Sequence, residues 1–390
     1  MSLDLDRSTW TRVKFSDIAD SISDRVDDPS KAGVDRYVGL EHLDSGSMTV
    51  SRWGSPDDVD ATKLRFLPGD VIFGRRRAYQ KKVSRADFEG ICSAHAMVLR
   101  ARPELVDPDF LPVFLSSDYF LDRAIQISVG SLSPTVNWKT LKAQEFDLPP
   151  LDQQRRIADL LWAVESEVQA ARTAYQGTLL LTQVYVDLNF GVSSSAVELS
   201  KLVGPGGIKI GPFGAQLHAS DYVESGVPVV MPQDMSGNAV SEERIKQVPR
   251  AKAQELSAHA LLAGDILLPR RGELDRRALI TETQAGWLCG TGSVRVRPKA
   301  GVKPAVILLA LSATSTLQWL YRNASGTTMP NLNASIVAKI PITLPSDKDL
   351  PEVMANVSEL DMTAELLKQR IIGAGSLRTE LTAEIFRESN

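Results

Sequence analysis

The sequence repeats itself at a spacing of about 195 residues, and this repeat limits the fold more than any other feature. Several short segments recur in the same order. They are VKFSDI at 13–18 with VELSKL at 197–202, LPGDVIFGRR at 67–76 with LAGDILLPRR at 262–271, Cys92 with Cys289, GSLSPTVN at 130–137 with GTTMPNLN at 326–333, and DLP at 147–149 with TLP at 343–345. Motifs that recur in one order indicate two copies of the same folding unit.

Each copy has the pattern of a mixed domain. Short β-branched runs alternate with turn signals such as PGD and AGD, which predicts strands of a mixed sheet. A more helical stretch follows in each copy, at 110–125 and at 305–321. We therefore expect two homologous α+β (mixed α/β) domains. Strand order and direction do not follow from the pattern.

A long segment with a heptad stripe follows each copy, because its apolar or small positions advance by alternating steps of four and three. These positions are Ile157, Leu161, Val164, Val168, Ala171, Tyr175, Thr178 and Thr182 in the first segment, and Val353, Val357, Leu360, Ala364, Leu367, Ile371, Ala374, Leu381 and Ile385 in the second. Arg378 interrupts the second stripe. The glycines Gly373 and Gly375 predict a bend or fraying there.

Each predicted helix is about 35 residues, or roughly 50 Å, long. The simplest arrangement is that the two apolar stripes pack against each other, with the helices antiparallel because a whole domain separates them in the chain. The alternative is that each helix packs only on its own domain. The sequence thus predicts a first domain at 1–150, a helix at 151–190, a second domain at 191–346 and a helix at 347–390, with an approximate two-fold symmetry.

The densest basic segment lies after the first repeated motif and contains no acidic residue. Arg, Lys, Tyr and Gln in a loop suit contact with phosphates and base edges, and a similar segment recurs in the second copy, diluted by Glu273 and Asp275. The alternative is a solvated basic turn. The predicted DNA contacts here are Arg75, Arg76, Arg77, Tyr79, Gln80, Lys81, Lys82 and Arg85 in the first copy, and Arg270, Arg271, Arg276 and Arg277 in the second.

Two paired loops add hydroxyl and amide groups to these cations. The predicted contacts are Ser133, Thr135, Asn137 and Lys139 in the first loop, and Thr327, Thr328 and Asn331 in the second. The same groups can instead bond their own backbone in a turn, and Asn137 and Asn333 can simply cap the next element.

Several enzyme classes lack their motifs. Four scattered histidines and two cysteines give no metal-ligand spacing, and neither a nucleotide-binding fingerprint nor a GxSxG elbow occurs. The nearest match to an amino-methyltransferase tetrapeptide, LPPL at 148–151, lacks the polar first residue and the aromatic last one. No apolar run is long enough for a membrane span and no secretory signal is visible, so with two cysteines we expect a cytoplasmic protein without metal or cofactor.

The string LPPLDQQRRIADLL at 148–161, which opens the first long helix, resembles the specificity (S) subunit of type I restriction–modification systems. The segment GPFGAQLHASDYVESGVPVV at 211–230 is similar to the opening of a target-recognition domain in that family. The likeness spans essentially the whole chain. One departure is PSDKDLPEVMANV at 345–357, where the family usually has a Glu/Gln-rich opening of the second helix.

The resemblance implies a non-catalytic subunit of a DNA methyltransferase and restriction complex. Each target-recognition domain would read one half of a split, asymmetric site in double-stranded DNA, and the coiled-coil helices would set the unread gap. Two adenine methyltransferase (M) subunits would bring S-adenosylmethionine, and restriction/translocase (R) subunits would bring ATP and magnesium. This chain itself would hold none of these ligands.

Three alternatives remain open from the sequence. The chain could be a DNA-recognition subunit of a different modification or defence complex. It could be a nuclease or methyltransferase that acts alone, which the missing motifs argue against. It could also be a protein-only scaffold whose basic loops serve solubility.

Overall fold

The structure is a computed structural model that describes residues 7–213, 216–326 and 330–387. The chain divides into two compact units, the first made of Met1–Ala174 and Leu366–Asn390 and the second of Tyr175–Glu365. Each unit therefore combines one copy of the repeat with parts of both long helices.

The first unit is built from short strands and helices followed by one long helix. Its strands are β1 (Thr11–Lys14), β2 (Ala19–Ile22), β3 (Arg25–Val26), β4 (Tyr37–Val38), β5 (Lys63–Phe66), β6 (Val71–Phe73), β7 (Val83–Arg85), β8 (Gly90–Ser93), β9 (Met97–Ala101) and β10 (Glu145–Leu148). Its helices are α1 (Phe15–Ile18), α2 (Phe110–Ser116), α3 (Asp118–Gln126), α4 (Trp138–Leu141) and the first part of α5 (Leu151–Phe190). The strands form the sheets β2-β9-β6-β7, β3-β5-β8-β4 and β1-β10.

The second unit has a similar set of elements. Its strands are β11 (Val197–Glu198), β12 (Val203–Ile210), β13 (Val227–Val230), β14 (Met235–Ser236), β15 (Ala239–Val240), β16 (Lys246–Val248), β17 (Ile266–Pro269), β18 (Ala278–Leu279), β19 (Leu288–Cys289), β20 (Ser293–Pro298) and β21 (Pro341–Ile342). Its helices are α6 (Arg250–Glu255), α7 (Pro304–Ser312), α8 (Thr314–Asn323), α9 (Ala334–Ala338) and the first part of α10 (Leu350–Phe386). It also contains the last part of α5, while the last part of α10 belongs to the first unit. The sheets are β12-β20-β17-β18, β16-β13-β19, β14-β15 and β11-β21.

The sheet that carries the basic segment has the same plan in both units. In the first, β6 lies between β9 and β7; in the second, β17 lies between β20 and β18, and all these pairs are antiparallel. The first and last strands of each domain, β1 with β10 and β11 with β21, also pair in both units. The repeat read from the sequence is therefore a repeat of structure.

A buried carboxylate explains why the Gly-Asp motif recurs. Asp70 has a side chain that is 1% exposed and accepts hydrogen bonds from Nε and Nη2 of Arg100, at 2.7 and 2.8 Å. Asp265, also 1% exposed, accepts the same two bonds from Arg297, both at 2.7 Å. Such bidentate pairs are strong and directional, so the motif fixes the turn that precedes β6 and β17.

Parts of both long helices enter the core of each unit. In the first unit, Ile157 and Leu161 of α5 join the buried cluster together with Ile385 and Phe386 of α10. In the second unit, Val186 and Phe190 of α5 join the core with Val353 and Val357 of α10. The alternative in which each helix packs only on its own domain is therefore wrong.

Every position of the predicted heptad stripes is buried or half-buried. Within the first unit, Glu165 pairs with Arg378 and Glu167 pairs with Arg370, so α5 and α10 are antiparallel there. The sequence predicted that Arg378 interrupts the second stripe. In the structure Arg378 lies between the two helices, where it pairs with Glu165. The predicted fraying is also wrong, since α10 runs without a break through the two glycines at 373 and 375.

Among the described residues, no single helix is both long and apolar enough to cross a membrane. Helices α7 and α8 together reach that composition, but they bend by 72° where they meet. Most residues of α7 are buried in the core of the second unit.

Candidate nucleic-acid interface

The two predicted contact segments of the first copy lie side by side. Arg76 and Thr135 form an antiparallel bridge, and the backbone N–H of Arg77 donates to the carbonyl of Pro134 at 2.7 Å. The N–H of Val136 donates to the carbonyl of Arg75 at 2.9 Å. The basic segment after β6 and the polar loop before α4 thus form one joined surface.

The second copy repeats this junction. Arg271 and Asn331 form the corresponding antiparallel bridge, and the N–H of Leu332 donates to the carbonyl of Arg270 at 2.8 Å. Thr327 and Thr328, which the sequence also predicts as contacts, lie outside the described residues. The fold therefore brings a cationic segment and a polar loop together twice, at equivalent places.

Two arginines of the first segment have local partners that orient their side chains. Nη1 of Arg76 is 3.1 Å from Nε2 of His95, and its Nη2 donates to Oγ of Ser133 at 3.4 Å. Nη2 of Arg75 donates to the carbonyl of Ala94 at 3.1 Å. Because a guanidinium only donates, Nε2 of His95 is the acceptor, and the ring is assigned as neutral. Burial, followed by the charges of Arg76 and Arg75, lowers the pKa of His95.

The outermost part of the first segment is a short turn between two left-handed residues. Arg77 and Lys81 have φ values of 58° and 51°, which is uncommon for residues other than glycine. Between them, the side chain of Tyr79 is 52% exposed and Gln80 is half-buried. Arg77 is exposed as well. The turn presents a cation, an aromatic ring and an amide to solvent.

The remaining cations of the first segment are engaged within the protein. Lys81 pairs with Asp118, and Nζ of Lys82 donates to the carbonyl of Leu40. Arg85 is the most restrained of them. It pairs with Asp87 at 3.1 Å and with Asp109, and its guanidinium lies 4.1 Å from the ring centroid of Trp162.

The cations of the second copy also comprise exposed residues and residues engaged within the protein. Arg271 is exposed, whereas the guanidinium of Arg270 lies 5.0 Å from the ring centroid of Phe213. Arg276 pairs with Glu273 at 2.7 Å. Nε of Arg277 donates to Oδ1 of Asn238 at 2.8 Å, beside a cavity of about 360 Å³, and burial lowers the pKa of Arg277.

The two loop asparagines have different roles in their own units. Oδ1 of Asn333 accepts from the N–H of Ile336 at 2.8 Å and so caps α9. Asn137 precedes α4 at the same position, but its side chain makes no capping bond and is exposed. Lys139, the second residue of α4, is also exposed. Asn333 therefore acts as a helix cap, whereas the side chain of Asn137 is available to contact a ligand.

One feature near the basic segment was not predicted from the sequence. A cleft of about 410 Å³ lies beside Arg75 and is lined by Ser21, Arg25, Thr62 and Trp138 among others. Trp138 lies between two predicted contact residues in the sequence, and this position was the one signal that could have indicated the cleft. The other lining residues come from β2, β3, β5, β9 and the turns beside these strands, and no local pattern relates them to Arg75.

The described residues contain no cluster of His, Cys, Asp or Glu that could hold a metal ion. Cys92 and Cys289 are buried at equivalent places, and burial raises the pKa of each thiol to about 12. A thiol in that state is a poor nucleophile near neutral pH.

Known proteins share part of this sequence. Residues 7–174 match the family model described as the type I restriction modification DNA specificity domain. The type I restriction enzyme EcoDI specificity subunit of Escherichia coli is 26% identical over 152 residues, which are 38% of this chain and 33% of that relative. The matched part thus spans about a third of the relative's length.

Solved structures share the fold along the whole chain. The type I restriction–modification S subunit of M. genitalium covers 100% of this chain and 99% of its own, with 14% identity and a TM-score of 0.56. A chain from a structure of the type I R-M system, described for its complex assembly and conformational transition, covers 97% and 98%, with 20% identity and a TM-score of 0.56.

A duplicated α+β domain with a long helix after each copy is thus the architecture of S subunits, and the predicted fold class is confirmed. In sequence, the likeness to the type I restriction modification DNA specificity domain covers residues 7–174.

Proposed function

We propose that this chain is the specificity subunit of a type I restriction–modification system. In this role it reads a bipartite, asymmetric site in double-stranded DNA and directs the methyltransferase and restriction subunits to it. The observation that carries the proposal is the repeated junction of Arg76 with Thr135 and of Arg271 with Asn331. Two equivalent cationic surfaces on two homologous domains suit the two halves of a split target.

The first domain offers groups for both kinds of contact that a DNA reader needs. We assign phosphate contact to the exposed Arg77 and to Lys139, because an unpaired cation gains most from a phosphate. Gln80 and Asn137 carry amides that can pair with adenine, and Arg76 can pair with guanine. In the second domain we assign the same roles to Arg271 and Asn331, and we propose from their place in the sequence that Thr327 and Thr328 contact DNA as well.

Cations with strong internal partners are assigned a supporting role. Arg85, Lys82 and Lys81 hold the segment to the domain through the contacts described above. Arg276 and Arg277 do the same in the second copy. Of the predicted contacts, these five are therefore expected to contribute least to DNA affinity.

The long helices would set the length of DNA that stays unread. Helix α5 has 40 residues and α10 has 37, so each is roughly 55–60 Å long at about 1.5 Å per residue. One turn of duplex rises ~34 Å. Helices of this length suit an unread gap of more than one turn of duplex.

The long helices also expose apolar side chains that can bind partner subunits. In the second unit these are Leu179, Leu180, Leu181, Val184 and Leu188 of α5. In the first unit they are Leu366, Ile372 and Leu377 of α10. We propose that two M subunits, which carry S-adenosylmethionine, and R subunits, which use ATP and magnesium, assemble with this chain in the cytoplasm, and that the chain has no catalysis of its own.

The test is a fluorescence anisotropy titration with duplex DNA, performed on the chain with its M subunits. The target motif comes from methylome sequencing of the host with and without this gene. We expect binding of the motif in preference to a duplex with one scrambled half. Equal binding of any duplex, or none, would contradict the proposal, and methylation by the purified chain alone would favour a self-sufficient enzyme.

A further inference from the structure

The loop that meets the arginines ends in an exposed leucine. Among the residues that the structure describes, Leu132 is the most exposed large apolar side chain, at 91%. Its neighbours Ser131 and Ser133 are small, and Gly130 has a φ of +121°, which favours glycine. A leucine that is exposed to this extent at the tip of a loop is available to contact a ligand.

The loop below the tip is held firmly. Val129 and Thr135 exchange two backbone hydrogen bonds, at 3.1 and 3.0 Å, so that the loop closes over only five intervening residues. Oγ1 of Thr135 donates to the carbonyl of Ser133 at 3.1 Å, and Pro134 restricts the backbone further. The tip is therefore preorganised, and little conformational entropy is lost when it binds.

The base of the loop is bonded directly to two arginines. Arg77 donates its N–H to Pro134, and Nη2 of Arg76 donates to Oγ of Ser133 at 3.4 Å. An apolar tip next to the guanidinium of Arg76 and to the backbone of a second arginine matches a DNA groove, in which stacked bases lie between two rows of phosphates. The positive charge of Arg76 beside Leu132 makes a duplex a better match than an apolar pocket of a protein.

We propose that Leu132 is a wedge that enters a groove of the DNA and inserts between two stacked base pairs of the first half-site. Apolar side chains of this size partly unstack a base step and kink the duplex. Arg77 would bind a flanking phosphate, and Arg76, which is bonded to Ser133, would hold the tip in register. The step that opens most easily, such as a pyrimidine–purine step, would then be favoured without a hydrogen bond to either base. The inference rests on the proposed reading of DNA by the first domain.

The test places 2-aminopurine, which brightens when it unstacks, at successive positions of both half-sites. The protein is the chain with its M subunits, and the adenine that they methylate is left unlabelled. We expect brightening at one step of the first half-site. Leu132→Ala should abolish it, whereas Leu132→Met, which keeps an apolar wedge, should retain it.

The matched control is Leu105→Ala, which removes another exposed leucine of the same unit, 45% exposed, from the turn between β9 and α2. It should leave the signal unchanged, and signals in the second half-site should not respond to any of these variants. Tight binding without a Leu132-dependent signal would overturn the wedge and leave the proposed function standing. Failure of the wild-type complex to bind its motif would instead overturn the proposed function. Loss of M-subunit capture by Leu132→Ala, with unchanged DNA signals, would show that the tip contacts protein.

Discussion

Glu165 of α5 forms an ion pair with Arg378 of α10, and both side chains are largely withdrawn from solvent, at 1% and 13% exposure. The carboxylate also accepts hydrogen bonds from Oγ of Ser47 at 3.2 Å, the N–H of Met48 at 3.3 Å and Nε2 of Gln169 at 2.9 Å. One buried group thereby joins both long helices to a loop of the first domain.

Removing either partner of this pair should destabilise the first unit. Arg378→Met keeps the length of the side chain but leaves the Glu165 carboxylate buried without its cation. Breaking a buried pair in this way typically costs ~3–5 kcal/mol, and the remaining donors to Glu165 should keep the loss near ~3 kcal/mol. Urea unfolding followed by circular dichroism measures the change in the free energy of unfolding.

The nearby pair of Glu167 with Arg370 provides the control on the same two helices. Its side chains are 39% and 64% exposed, and exposed pairs contribute ~0–1 kcal/mol. A double-mutant cycle on each pair should give a coupling energy of at least ~1 kcal/mol for Glu165 with Arg378 and a smaller one for the exposed pair. Equal coupling energies would show that burial does not strengthen the inner pair.

The position of Arg378 also marks a limit of the sequence. The heptad stripe predicted two long helices that pack against each other, since a periodic apolar face must be buried somewhere. An arginine within the stripe then looked like an interruption. Its acceptors are Glu165 and the carbonyl of Gly46, which are 213 and 332 positions away in the chain, so no local pattern could reveal them.

For the candidate interface too, the sequence predicted features that depend on neighbouring residues but not those that depend on residues distant in the chain. The repeat was enough to place two basic segments and two polar loops at equivalent positions, and the structure joins them pairwise. The sequence could not separate the exposed Arg77 from the engaged Arg85. The partners of Arg85, Asp109 and Trp162, come from the segment before α2 and from α5, so only the folded chain reveals them.

Asn333 and Asn137 should respond differently to alanine. Asn333→Ala removes a capping bond from α9 and should lower the free energy of unfolding by about 1 kcal/mol. Asn137→Ala removes no capping bond and should leave stability within about 0.5 kcal/mol, while it weakens DNA binding if the amide contacts a base. Chemical unfolding and anisotropy separate the two effects. If Asn137→Ala lowered the free energy of unfolding as much as Asn333→Ala does, the assignment of Asn137 as a residue without a capping role would be wrong.

Stability should fall on acidification in part because of His259. Burial, followed by the charges of Lys209 and Arg295, lowers the pKa of this histidine. The unfolded chain therefore binds a proton at His259 more readily than the folded chain does. The stabilising contribution of neutral His259 to the free energy of unfolding is complete above the unfolded pKa of about 6.5, and it is lost as the pH falls toward the folded pKa. His259→Gln should lose less stability than the wild type between pH 7.5 and 5.5, as measured by urea unfolding. His218→Gln, at an exposed position, should follow the wild type, and a parallel decline in all three proteins would exclude His259 as a cause.

The salt dependence of DNA binding should separate the exposed cations of the first domain from those engaged within the protein. Each phosphate contact contributes about 0.9 to the slope of log K against log salt concentration. Arg77→Ala should therefore reduce the slope by about one such contact, because Arg77 is exposed at the turn. Arg85→Ala should leave the slope unchanged and lower stability instead, because its guanidinium pairs with two aspartates and covers Trp162. Anisotropy titrations of the chain with its M subunits, at several salt concentrations, measure the slopes. If Arg85→Ala reduced the slope as much as Arg77→Ala, phosphate contact would extend to the cations that the fold engages, and the division proposed for this surface would be wrong.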